Sequence, residues 1–142
     1  MVVEDKQLIE KTTEICIQMI ENSPLRYLVE EAVRSYREDG VDSIFRGAPN
    51  LIITIADKDL RSARDNSVSS LTYLELYAPS LGLGSCWAGI FEICASMENS
   101  PMLKLFNIPE GKKITAAVMV GYPKYSYKRL VDRNPLDVTF IS

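Results

Sequence analysis

The stretch of this chain with the most chemical potential is Gly82-Leu83-Gly84-Ser85-Cys86-Trp87-Ala88-Gly89. Glycines let the backbone take positive φ and come close to a ligand. Amides that open a following helix have no intrahelical acceptor and can donate to electron-rich ligand atoms. The same pattern also serves a tight turn between helices, where glycine is needed for steric reasons alone. Side-chain chemistry is sharply limited, because the 142 residues include no histidine. Ser-His-Asp and Cys-His triads, imidazole zinc sites and histidine acid–base work are therefore excluded. An enzyme of this composition would draw its reactivity from a bound cofactor, the protein supplying binding and electrostatics.

Cys16, Cys86 and Cys94 are odd in number and lack metal-site spacing. They suit a reduced cytoplasmic chain better than a disulfide framework. Cys86 and Cys94 sit in apolar surroundings and read as packing residues, and without a CxxCxxC array there is no iron–sulfur module. A net charge of −3 with scattered basic residues excludes a general nucleic-acid binder. No apolar run approaches the roughly 20 residues that span a bilayer, and the N-terminus MVVEDKQ is not a signal peptide.

The elements that must position this stretch follow from periodicity. Val2 and Val3 look like the end of a strand. Leu8, Ile9, Ile15, Cys16, Met19 and Ile20 form the stripe of a helix that starts after Asp5. Ser23 and Pro24 open a second helix that Gly40 ends. Leu51 to Ala56 and Ile114 to Val120 are apolar, β-branched runs that read as strands buried on both faces. Residues 65–81 are apolar on nearly every face, which suits a central or interface helix, with a kink at Pro79. A further helix is expected from about Trp87 to Met97, and a last extended piece from Val138 to Ile141. The sum is one α/β layered domain over 1–142, its sheet carrying helices on both faces.

Four segments together resemble the nitroreductase family: Arg46-Gly47-Ala48-Pro49 through Ile53, Leu81 through Gly89, Ile108-Pro109-Glu110-Gly111, and Val120-Gly121-Tyr122-Pro123-Lys124. They occur in the family's order and spacing. The resemblance implies an FMN enzyme that draws hydride from NAD(P)H, passes it to a small-molecule electron acceptor such as a nitroaromatic or quinone, and forms a homodimer. It implies that Gly84, Trp87, Ala88 and Gly89 lie at the flavin, with the Ala88 and Gly89 amides facing N5 and O4. Arg133 matches the family's phosphate-binding basic residue, with Arg129 and Lys124 as neighbours. Tyr73, Tyr77, Tyr122, Tyr125 and Tyr127 suit a substrate pocket or a dimer surface equally. The family's Arg-Arg-Ser-type N-terminal segment is not found, so the expectation is an N-terminally truncated domain that holds FMN weakly. A non-catalytic dimeric scaffold is the competing reading, and an unrelated nucleotide-binding α/β domain a further one.

Overall fold

The computed structural model describes residues 1–126, 128, 129 and 131–141. Tyr127, one of the aromatic candidates, lies outside the described residues. A four-stranded antiparallel sheet has the order β1-β2-β4-β3. Its strands are β1 (Val2–Val3), β2 (Asn50–Asp57), β3 (Gly84–Trp87) and β4 (Lys112–Gly121). The long central pair sets the frame, with Asn50 opposite Val120 and Asp57 opposite Lys112. Continuous apolar runs often mark parallel strands. Here β2 and β4 are antiparallel, and the runs are continuous because helices cover both faces.

On one face lie α1 (Lys6–Glu21) and α4 (Gly89–Ser96). Ile9, Cys16, Ile17 and Ile20 of α1 meet Phe91 and Cys94 of α4 over Leu51, Ile53, Ala117 and Met119 of the sheet. Phe91 is fully buried between Phe45 and Phe106, its ring centroid 5.8 Å from each. The other face carries α3 (Ala63–Tyr77), whose Leu71 packs on Ala116, Val118 and Val120.

The α1 stripe is as expected in direction but includes two polar residues. Thr12 and Thr13 are buried because their hydroxyls donate to the carbonyls of Leu8 and Ile9, one turn earlier. Asp5 caps this helix, its carboxylate accepting from the amides of Gln7 and Leu8.

Other expectations need correction. The second helix is split into a 3-10 turn over Pro24–Leu28 and α2 (Glu30–Asp39), which Gly40 ends at φ 67. The helix expected over 65–81 stops at Tyr77 and tightens into a 3-10 turn, Ala78–Leu81, that contains Pro79. Proline cannot donate to the α-helical ladder, so the chain changes pitch there. No helix starts at Trp87, since residues 84–87 form β3 and α4 begins at Gly89. Val138–Ile141 is in no strand, and these residues are largely exposed. In β4, Thr54 pairs with Ala116 and Ile55 with Ile114, so Thr115 is an extra residue that bulges the strand. Its hydroxyl lies 2.7 Å from that of Ser67 on α3 and donates to that of Thr54. The bulge thereby gives a buried hydroxyl partners on both α3 and β2.

Arg37 ties α2 to α1. It donates from Nε and Nη2 to Glu21 (2.9 and 2.7 Å) and from Nη1 to Glu14 (3.0 Å). The Arg37 bonds hold the Glu21 carboxyl below its ordinary value of 4.5, against a smaller upward push from burial. For Glu14 burial pushes upward, but bonds to Arg37, Gln18 and Tyr36 together carry it below 4.5. Carboxyls depressed in the folded state stabilise it above their unfolded value, and this is lost as pH falls through the folded one. Arg37→Ala is therefore expected to lower stability modestly at neutral pH, both carboxylates being partly solvent-screened. Denaturant titrations of both proteins should show the difference shrinking as pH drops below about 4.5.

Candidate functional site

β3 is an edge strand of four residues beside a β4 of ten. Gly84 pairs with Gly121 and Trp87 with Val118. Gly121 must lack a side chain here, because a Cβ would sit 2.8 Å from Cδ of Pro49. The Ala88 amide still belongs to the ladder, donating to the Ala117 carbonyl at 2.9 Å. This corrects the expectation that the Ala88 amide is open to a ligand. Gly89 is the first residue of α4, and the amides at that helix start have no intrahelical acceptor.

Beyond Ala88, the edge of β4 that faces away from β2 has no strand beside it, and side chains take over. The buried Ala117 amide donates to Oε1 of Glu92 at 2.7 Å. Oε2 of Glu92 pairs with Nη1 of Arg64 at 2.8 Å, and the same nitrogen donates to the Thr115 carbonyl at 2.6 Å. The α3 and α4 helices are thus pinned to one bare strand edge. Neither Glu92 nor Arg64 stood out in the sequence, since each reads as an ordinary helical surface charge.

Two cavities share Arg46 and flank this strand–helix junction. One, of about 380 Å³, is lined by Arg46, Gly84, Ser85, Cys86 and Lys124 among others. The second, of about 670 Å³, is lined by Val29, Val41, Arg46 and Ile90 with Glu31 and Asp42. Arg46 lies in the turn before β2 and takes φ 55, with Gly47 following at φ 71. Left-handed backbone is costly for a side-chain-bearing residue and needs support. Asp42 supplies it, its carboxylate accepting from the amides of Ile44, Phe45 and Gly47 at 2.9–3.2 Å. The Arg46 guanidinium reaches Sγ of Cys86 at 3.9 Å and has no carboxylate partner among the described residues. Sequence reasoning assigned Arg46 no site role, although it opens the first of the family-like segments. Its position in front of a β-branched run was the available signal.

The residues singled out in the sequence are only partly gathered. Gly84, Trp87, Ala88 and Gly89 lie together at the end of β3, Trp87 packing toward α3. Arg129 and Arg133 are exposed on the stretch after β4, with no ion pair among the described residues. Cys16 and Cys94 are fully buried, and the contact with Cys94 together with burial drives the Cys16 thiol far above its usual range. They are packing residues. No cluster of potential metal ligands occurs among the described residues, and no helix is long and apolar enough to cross a membrane.

The class this architecture defines is a mixed helix and sheet domain, an antiparallel sheet covered by helices on both faces with its short edge strand ending beside surface cavities. The chain belongs to the nitroreductase family, whose model matches residues 1–122. Among solved structures it is similar to a nitroreductase with bound FMN from Bacteroides fragilis NCTC 9343. That pair has a TM-score of 0.73 and 19% identity over 99% of this chain and 74% of the other. For a nitroreductase with bound FMN from Desulfitobacterium hafniense DCB-2 the TM-score is 0.67, with 19% identity over 93% and 69% of the two chains. An iodotyrosine deiodinase bound to FMN and 3-iodo-L-tyrosine gives 0.56, with 22% identity over 96% and 74%. No curated protein matches.

Glu92→Ala should leave the buried Ala117 amide without an acceptor, costing about 1–3 kcal/mol. Glu92→Gln keeps the amide acceptor and should cost clearly less. Urea denaturation of both variants checks the order, and equal losses would contradict the assigned role.

Proposed function

We propose that this chain is an FMN-dependent oxidoreductase of the nitroreductase type, acting in the cytoplasm as a homodimer. The observation that carries the reading is the junction of β3 and α4. It sets the start of α4 beside two cavities that share Arg46, whose guanidinium has no carboxylate partner among the described residues. These residues fit the polar edge of a flavin ring. The first amides of α4 can donate to ring atoms, and Val29, Val41 and Ile90 offer apolar walls that exclude water. When bound, FMN supplies the hydride chemistry that links NAD(P)H to a nitroaromatic, quinone or similar acceptor. The chain needs no nucleophile or general base for this, consistent with its lack of histidine. Arg46 beside the ring would favour its negatively charged form by Coulombic attraction.

The phosphate falls to Arg133, aided by Arg129, on the resemblance of Arg133-Asn134-Pro135-Leu136 to the family pattern. A guanidinium suits a phosphate by donating two parallel hydrogen bonds. In a fluorescence titration with FMN, Arg46→Ala and Arg133→Ala should each weaken binding about ten- to a hundredfold. Lys124→Ala should matter less, because its ammonium is exposed and rests 5.7 Å from the Tyr125 ring centroid. Equal and negligible effects of all three would overturn this placement.

The dimer rests on α3. Tyr73, Leu76, Tyr77 and Leu81 are more than half exposed, and Tyr73 and Tyr77 stack with centroids 6.3 Å apart. Tyr73, Tyr77 and Leu81 rim an apolar cavity of about 450 Å³. Apolar surface on this scale is seldom left to water. Sedimentation should give a dimer at micromolar concentration, and Leu76→Lys should shift it to monomer. A folded wild-type monomer would contradict the assignment.

A further inference from the structure

A third cavity, of about 370 Å³, lies on a separate face of α4. Gly89, Glu92, Ile93 and Ser96 line it, at the 0, 3, 4, 7 spacing of one helical face, while Ile90 looks into the cavity shared with Arg46. Across from α4 stand Arg64 of α3 and Lys113 and Thr115 of β4. The charges lining this space do not cancel. Both oxygens of Glu92 are engaged, one by the Ala117 amide and one by Arg64, so Arg64 and Glu92 neutralise each other. Lys113 remains. Its ammonium donates to the Lys58 carbonyl at 2.8 Å, a neutral acceptor that fixes the group without balancing its charge. Asp57, on the neighbouring strand, is paired with Lys112 at 2.6 Å. No carboxylate other than Glu92 lines the cavity.

Arg64 engages Glu92 and Thr115 through Nη1 alone, and its side chain is 54% exposed. Its remaining N–H donors are therefore available to a ligand. Gly89 opens the wall completely, because a Cβ there would meet nothing within 4 Å. In a chain whose net charge is −3, this is a preformed recess with a net positive lining and fixed donors.

We propose that this recess binds the oxyanion group of a small molecule, a phosphate or a carboxylate, through Arg64 and Lys113. The recess is distinct from the two cavities that share Arg46, although Gly89 at the start of α4 borders it too, and the proposal does not depend on the flavin reading. An oxyanion would gain a charge-assisted bond from the guanidinium and Coulombic attraction from the ammonium. Arg64 stays paired to Glu92 throughout, so binding adds to the existing contacts and needs no rearrangement.

The test is calorimetric titration of the whole chain, without flavin, using inorganic phosphate, pyrophosphate and benzoate in turn. Saturable binding of at least one is expected, weakening as salt rises. The anion that binds tells phosphate-bearing from carboxylate-bearing ligands. Lys113→Gln should reduce its affinity by about tenfold or more, and circular dichroism should show the fold retained. Arg64→Lys, which keeps charge but loses the fork, should also weaken binding. Lys104→Gln, an exposed position on α5 (Met102–Leu105) outside the recess, should leave it unchanged. No saturable binding of any of the three anions would overturn the proposal, as would equal binding by wild type and Lys113→Gln.

Discussion

β4 outruns β3, and much of the molecule follows from that mismatch. A central strand with one bare edge carries buried amides and carbonyls that water cannot reach, and each must find a partner. The Ala117 amide and the Thr115 carbonyl find theirs in Glu92 and Arg64. Since Glu92 sits on α4 and Arg64 on α3, the same two bonds dock helices from opposite faces of the sheet. The start of α4 is fixed as a result, with Phe91 locking it from the core side between Phe45 and Phe106. A backbone donor becomes useful to a cofactor only when held this firmly.

The turn before β2 is held by a different device. Asp42 gathers the amides of Ile44, Phe45 and Gly47 and supports left-handed backbone at Arg46, whose guanidinium at the junction has no carboxylate partner among the described residues. Strain is tolerated where surrounding bonds over-determine it, and such places are often functional. Around the β3–α4 junction the chain thus brings together fixed amides, apolar walls and the Arg46 guanidinium, with Glu31 and Asp42 as nearby carboxylates. That combination suits holding a reactive cofactor better than performing chemistry directly.

Much of this was legible in the sequence, and the rest was not, for identifiable reasons. The central strands, α1 and the Gly40 stop were readable because apolar period and capping act locally. β3 was missed because Gly84-Ser85-Cys86-Trp87 has little strand propensity; it is a strand because β4 offers a ladder to join. For the same reason the Ala88 amide was misjudged, being held by Ala117, 29 residues further along the chain. Thr12, Thr13 and Thr115 are buried through hydroxyl bonds that hydrophobic patterning cannot register. Gly84, Trp87, Ala88 and Gly89 lie together in the fold because they are near neighbours in the chain. Arg46, Arg64 and Glu92 were given no site role, because their importance arises from partners 25 to 51 residues away, as in Glu92 with Ala117 and Arg64 with Thr115.

The most direct test of the central claim is a titration of isotopically labelled protein with FMN, followed by backbone amide shifts. Saturable shifts are expected, largest at Gly89, Ile90 and Arg46, with Ala88 and Ala117 moving less because their mutual bond persists. Absence of saturable binding, or shifts centred away from the junction of β3 and α4, would contradict the account.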